Sequence, residues 1–295
     1  MRALVIPDQR IARGAASATL SYQFTDQYGE PSAASGTVTV SVTDSAGSAV
    51  VTGQATTQTG TGPYEYTLSS NLDTIDRLTA TWLVDGSAAA STVIEVVGGV
   101  YCSNSELKAL EPTLATRSDA VLRAARTEAE NMIEEWCNRA FVHRIEIERR
   151  NGTGASALPV SWPNIVDVKW GKVWYSGNSS TSLTASELAD IAATRGPLLN
   201  RQDGWLWERG VDNIEVAYIH GLANPPEDIK RVCAALVHRQ LTVANRALAD
   251  NATQYFPAEG GSVMMAQPGM RGSFTGIPWM DEILKRWQWR NVGVH

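Results

Sequence analysis

Two Cys/His pairs, Cys137 with His143 and Cys233 with His238, are the residues of this sequence with the most obvious chemical potential, since all four are zinc-type ligands. They fall on or beside two long helical segments whose packing would bring them near each other. Helix geometry weighs against a shared metal. Positions five apart on one helix differ by about 140° around the axis, so Cys233 and His238 point to different faces. Buried structural thiols and surface imidazoles are the expectation, and no metal ligand is assigned. Ser105-Glu106-Leu107-Lys108 has the Ser-x-x-Lys spacing of some acyl-transfer sites, but neither companion motif, Ser-Asp-Asn or Lys-Thr-Gly, occurs in the chain, and helix capping accounts for the serine. The sequence also lacks a Gly-x-Ser-x-Gly elbow, a Walker loop, a Gly-x-Gly-x-x-Gly turn and a His-Glu-x-x-His pair. A hydrolytic centre built on His220 or His238 with a carboxylate has no motif behind it. The reading is a non-enzyme, with no catalytic residue and no cofactor.

Binding residues are easier to nominate. Of the ten tryptophans, Trp82 and Trp136 lie on apolar faces and read as core. Trp205, Trp207, Trp279, Trp287 and Trp289 instead sit beside Gly, Arg and Gln in short or terminal segments. Aromatic residues and arginine together are what protein interfaces enrich. Trp205 and Trp207 are therefore candidates for contact with a neighbouring subunit or a following protein. The C-terminal set is the second candidate surface.

Composition narrows the partners. A net charge of -6 lacks the basic excess that proteins gripping nucleic acid use to neutralise phosphates. The three cysteines are few for 295 residues and absent from the first hundred, so disulfides are not expected. No apolar run approaches the roughly 18 residues of a membrane span, and the opening Met1-Arg2-Ala3-Leu4-Val5-Ile6-Pro7-Asp8 breaks too early for a signal peptide. A soluble protein made in the cytoplasm is expected.

The elements that must position these residues fall into two kinds. From Ala18 to about Val97 the chain alternates apolar and polar residues in short runs such as Val38-Thr39-Val40-Ser41-Val42 and Leu78-Thr79-Ala80-Thr81-Trp82, with Asp85-Gly86 as a two-residue hairpin turn. This predicts an all-β sandwich, immunoglobulin-like in the broad sense, over residues 1–98. After Gly98-Gly99 the pattern turns helical. Ser103-Asn104-Ser105-Glu106 is a capping box, a long helix runs from Ser118 to about Asn138 with Val121, Ala125, Ala129, Met132, Ile133 and Trp136 on one face, and a second starts at Asn224-Pro225-Pro226-Glu227 and runs to about Asp250. Their matching stripes predict that the two pack together. Between them, strands near 145–147, 166–170 and 214–218 and a brief helix over 186–193 make a small β-rich insertion. The expected division is thus a sandwich (1–98), an α-helical domain with a β insertion (99–250), a Gly/Met/Pro-rich segment without regular structure (251–276), and a C-terminal aromatic helix and tail (277–295).

In its order of parts, the stretch from Tyr101 to His295 resembles the head-tail connector (adaptor) proteins of long-tailed bacteriophages. Four segments carry the resemblance: Tyr101 to Lys108, Ile133 to Phe141, Val216 to Lys230, and Asp281-Glu282-Ile283-Leu284. The N-terminal sandwich is an addition to that family's minimal pattern. The resemblance implies a virion protein of the neck at the head-tail interface, present in the host cytoplasm during assembly. It implies a homo-oligomeric ring, commonly of twelve subunits, docked under the portal protein. That ring would lengthen the DNA channel, with transient non-specific passage of double-stranded DNA, and offer a platform to the next neck, stopper or tail protein. It further implies that the C-terminal segment engages the portal, which nominates Arg271, Trp279, Ile283, Leu284, Trp287, Trp289 and Arg290. A chain cut before Arg271 is then expected to stay folded and to lose portal attachment. The alternative reading is a secreted or surface module that binds carbohydrate or a host surface through the sandwich.

Overall fold

The computed structural model describes residues 9–175, 179–192, 194–242, 254–255, 263–264 and 274–290. Among these the protein is a β-rich, multi-sheet chain with five helices: α1 (Asn104–Leu110), α2 (Asp119–Cys137), α3 (Ala185–Ala189), α4 (Glu227–Thr242) and α5 (Pro278–Trp287). It divides into two compact units, Met1–Gly99 with His143–Gly221, and Val100–Val142 with Leu222–His295.

The first unit begins with β1 (Gln9–Ala12), β2 (Ala18–Gln23), β3 (Val38–Thr43), β4 (Ala49–Ala55), β5 (Thr57–Gln58), β6 (Pro63–Leu68), β7 (Asp76–Val84) and β8 (Ser87–Val97). Period-two alternation sets their faces: Val38, Val40 and Val42 are buried, while Thr39, Ser41 and Thr43 between them are only half-buried. A five-stranded sheet in the order β1-β8-β7-β3-β4 and a three-stranded sheet β2-β6-β5 contribute to one core around Leu20, Val40, Leu68, Leu78 and Trp82. Asp85 (φ 49°) and Gly86 (φ 80°) both take left-handed backbone and close the β7–β8 hairpin as expected.

The same unit continues with β9 (Arg144–Gly152), β10 (Ala157–Pro159), β11 (Ile165–Trp174), β12 (Ser180–Ser182), β13 (Ile191–Ala192), β14 (Leu198–Arg201) and β15 (Gly210–His220). They form sheets β12-β11-β15-β9 and β10-β14-β13 over a core that includes Leu158, Leu199, Trp207, Val216 and Tyr218. This insertion groups with the first hundred residues and not with the helices. Ile75, Ile145 and Ala217 share a buried cluster, Lys169 Nζ lies 3.7 Å from the Asp76 carboxylate, and Trp170 Nε1 donates to Ser45 Oγ at 3.0 Å. The buried carboxylate of Glu95 binds two guanidinium groups at one oxygen, Arg10 at 3.3 Å and Arg144 at 3.5 Å. Opposite charges removed from water together tie Arg10 of β1 and Arg144 of β9 to Glu95 of β8.

In the second unit Ser103 caps α1 with the reciprocal Glu106 contact of a capping box, Ser118 caps α2, and Asn138 ends α2 in the left-handed conformation (φ 49°). The helix α4 starts at Glu227, so both prolines precede it and the carbonyl of Pro226, not Asn224, opens its ladder by accepting from Lys230 N at 3.0 Å. Its expected end near Asp250 lies outside the described residues. The stripes of α2 and α4 pack into one core through Leu122, Ala129, Ile133, Val232, Leu236 and Val237. The inward face of α2 is rotated from the expected one: Val121 is 42% exposed, while Arg126, Glu130 and Glu134 turn inward with Leu122 and Cys137. Charged side chains are tolerated there because backbone groups wait for them. Within the stretch expected to lack regular structure, β16 (Gln254–Tyr255) and β17 (Val263–Met264) pair antiparallel.

Candidate docking interface

The buried polar residues of α2 hold the segment that precedes α1. Glu130 Oε1 accepts from the Tyr101 backbone N–H at 2.8 Å, and Glu134 Oε1 accepts from the Tyr101 hydroxyl at 2.9 Å. That hydroxyl in turn accepts from Phe141 N at 3.1 Å, and Arg126 donates to the Cys102 carbonyl at 2.9 Å. Tyr101 and Glu130 are both 1% exposed, so each bond is made away from water and each orphaned group would be costly. The helix α5 closes the same core. Met280 and Leu284 are fully buried in it, and Cys137 Sγ lies 3.7 Å from the Leu284 carbonyl. Burial pushes the Cys137 thiol up to about 12. Asp281 ties the incoming chain to the helix by accepting from Phe274 N (3.1 Å), Thr275 N (2.7 Å) and Thr275 Oγ1 (2.9 Å).

These positions sort the C-terminal candidates. Leu284 is interior, Ile283 and Trp287 pack against the core, and Trp287 Nε1 donates to Asp228 at 2.9 Å. Trp289 N donates to the Cys137 carbonyl at 2.7 Å, and the Arg139 guanidinium lies over the rings of Trp287 (5.9 Å) and Trp289 (5.8 Å). Trp279 is 43% exposed and Arg290 is exposed, so these two face solvent. Arg271 lies outside the described residues. The expectation that a chain cut before Arg271 stays intact is corrected, since the cut removes Met280 and Leu284 from the core.

The residues first weighed for chemistry have structural neighbours. His220 stacks on Trp162 with ring centroids 5.0 Å apart, and His238 Nδ1 is 3.9 Å from Glu111. The nearby Glu148 carboxylate accepts from Tyr218 Oη (2.7 Å), Ser161 N (2.9 Å) and Ser161 Oγ (3.0 Å) and pairs with Arg150 at 2.6 Å, so its lone pairs are committed to holding β9, β15 and the Ser161 turn. Cys102, Cys137 and Cys233 are free and buried. Among the described residues no three His, Cys, Asp or Glu side chains gather as a metal site.

No protein-family model matches the chain, and no curated protein sequence does. Solved structures do. A chain from the neck of an empty gene transfer agent particle, computed with C6 symmetry, aligns at 12% identity over 64% of this chain and 91% of its own, with a TM-score of 0.45. One from the neck of the native particle, computed with C12 symmetry, aligns at 12% identity over 68% and 98%, with a TM-score of 0.44. A chain from the native gene transfer agent virion aligns at 13% identity over 60% and 81%, with a TM-score of 0.42. At these identities and TM-scores the likeness by itself assigns neither a fold family nor a role.

The other candidate pair separates completely. Trp207 is 1% exposed: its N–H donates to Ala155 O (2.9 Å), its carbonyl accepts from Gly154 N (2.8 Å) and its indole N–H donates to Leu199 O (3.2 Å). It anchors the loop between β14 and β15. Trp205, two residues earlier, is 69% exposed, with Leu206 at 58% and Val211 at 84%. The loop is held from both sides. Asp203 accepts from Trp205 N at 3.0 Å and from Arg201 Nε at 3.2 Å, while Asn213 bridges Gly152 N (2.8 Å) and Glu208 O (2.9 Å). A Cβ on Gly152 would meet Glu208 O at 1.6 Å, so only glycine lets the loop approach β9 this closely. Beside the loop opens a cleft of about 380 Å³ lined by Arg149, Arg150, Asn151, Thr153, Pro159 and Asp212. No sequence motif marks it, because its walls come from β9, β10 and β15, which only the fold brings together.

Proposed function

We propose that the chain is a structural subunit of a phage-like particle neck, a head-tail adaptor that forms a ring, of twelve subunits in the resembled family, below the portal protein. The ring extends the DNA channel and presents a platform to the next neck, stopper or tail protein. One observation carries the reading: the family-like segments around Tyr101–Lys108, Ile133–Phe141 and Asp281–Leu284, with Ile229 from the fourth segment, all supply side chains to one core although nearly two hundred residues separate the first from the last. Motifs far apart in sequence that meet in one core support the resemblance over those residues, while Val216 to His220 of the fourth segment belong to the first unit. The gene transfer agent neck chains are parts of the same kind of particle and add no weight at their TM-scores.

Portal docking falls to the outward face of α5 and the residues after it, where Trp279 and Arg290 stay available beside the exposed Lys285 and Arg286. An exposed aromatic with arginines is hot-spot chemistry. The first β sheets form an immunoglobulin-like sandwich that decorates the neck. The acidic balance suits a DNA passage, since clustered lysine and arginine would retain phosphates. The test is binding of the purified full chain to the portal ring. W279E combined with R290E should leave the fold intact and abolish binding, and unchanged binding by that variant would remove the docking assignment.

A further inference from the structure

We infer that Cys102 and Cys233 are a redox-responsive pair, two buried thiols placed to close into a disulfide when the chain meets a low-molecular-weight disulfide such as oxidised glutathione. The inference stands apart from the neck reading, since both residues lie within the second unit and the chemistry needs only this chain and the oxidant.

Helix geometry brings the two thiols together. Cys102 Sγ donates to the Lys230 carbonyl of α4 at 3.4 Å. A short side chain on a helix reaches back toward the carbonyl three or four residues earlier, so the Cys233 thiol approaches that same carbonyl from its own helix. Two sulfurs that share one carbonyl are neighbours. A hydrogen bond with Cys102, and after it burial, hold the Cys233 thiol well above its usual range. The segment that carries Cys102 is fixed on both sides, with the Tyr101 N–H held by Glu130 and the Cys102 carbonyl by Arg126. Cys137 is engaged elsewhere, 3.7 Å from the Leu284 carbonyl of α5, which leaves one favoured pair among the three thiols.

Burial sets when the pair reacts. Both side chains are fully buried, so the closed unit keeps them from any oxidant, and the dithiol persists in a reducing compartment. A transient opening of the unit lets one cysteine thiolate attack oxidised glutathione. The glutathione S–S bond breaks, a mixed disulfide forms on the chain and one glutathione leaves as its thiolate. The second cysteine thiolate then attacks the chain sulfur of that mixed disulfide and displaces the other glutathione. The chain gives up two electrons and two protons, and one glutathione disulfide becomes two glutathione thiols. The new bond ties the segment before α1 to α4 across a long stretch of chain, which restricts the unfolded ensemble strongly.

The test incubates the full chain with oxidised glutathione, for long enough that a thiol reagent labels all three cysteines of a parallel sample, and maps the product by mass spectrometry. The Cys102 and Cys233 peptides should be linked, with Cys137 outside the link. Amide hydrogens of α2 and α4 should then exchange about a hundredfold or more slowly than in the reduced chain, and dithiothreitol should restore the original rates. Cys102→Ser should retain glutathione on Cys233, because no neighbouring thiol displaces it. Three thiols still free, a lasting glutathione adduct on Cys102 or Cys233 of the wild type, or a link through Cys137 overturns the pairing. So does a C102S chain that links Cys233 to Cys137 as readily as wild type links it to Cys102. A Cys102–Cys233 link that leaves exchange within about threefold of the reduced chain overturns the claim that the bond fastens the unit.

Discussion

Replacing Leu284 with alanine should loosen the second unit strongly, although the residue lies near the end of the chain. Its side chain, on α5, is fully buried in the core it shares with α2 and α4, together with Met280, Cys137 and Phe141. Leucine-to-alanine changes at such sites cost about 2.7–5 kcal/mol, the spread reflecting how far the surroundings collapse into the space. A terminal helix can shift inward more easily than a central one, which favours the lower end, about 3 kcal/mol. The cysteines give a clean readout, because Cys102, Cys137 and Cys233 are all buried in this unit and the first unit has none. Labelling of native protein by a thiol reagent then requires the second unit to open, and its rate follows the population of the open form. A loss of about 3 kcal/mol raises that population by about a hundredfold. Trp279→Ala, at an exposed position of the same helix, should change the rate by less than about threefold. L284A labelling within threefold of wild type would refute the placement of α5 in the core.

Other predictions follow from buried polar contacts. Glu95→Ala leaves the guanidinium groups of Arg10 and Arg144 without their shared carboxylate and should destabilise the first unit by about 3–5 kcal/mol in chemical denaturation, without accelerating thiol labelling. Tyr101→Phe removes the bond to Glu134 and the acceptor for Phe141 N, and should cost about 1–3 kcal/mol by the labelling assay. Cys137 titrates near 12 when folded against a usual value of 9.0, so the native state favours the protonated thiol. That contribution is complete below about pH 9 and is lost as pH rises toward 12, because the unfolded chain releases its proton first. Stability measured from pH 8 to pH 10.5 should fall less steeply in Cys137→Ala than in wild type.

Local patterns placed much of the fold. Val38 to Val42 state a half-buried strand, Asp85-Gly86 a tight hairpin, and Ser103 with Glu106 a capped helix start, since each depends only on neighbours a few residues away. Long-range effects were hidden. The inward turn of Arg126, Glu130 and Glu134 depends on carbonyl and hydroxyl partners outside the helix, and a hydrophobic stripe cannot show them. The insertion looked helical-domain property because it interrupts that domain in sequence, yet Ile145, Ala217 and Trp170 share a cluster with Ile75 from the first hundred residues. Tryptophan composition could not separate exposed from buried members. Trp205 and Trp207 are two residues apart, and one is exposed while the other anchors the loop. The C-terminal helix looked like an unpartnered surface for the same reason, since its core partners lie on α2 and α4.

The proposed role in the neck is tested most directly by assembling particles without this chain and viewing them by electron microscopy. Filled heads and finished tails should accumulate unjoined, and supplying the wild-type chain should join them. Joined, infectious particles formed in its absence would contradict the adaptor assignment.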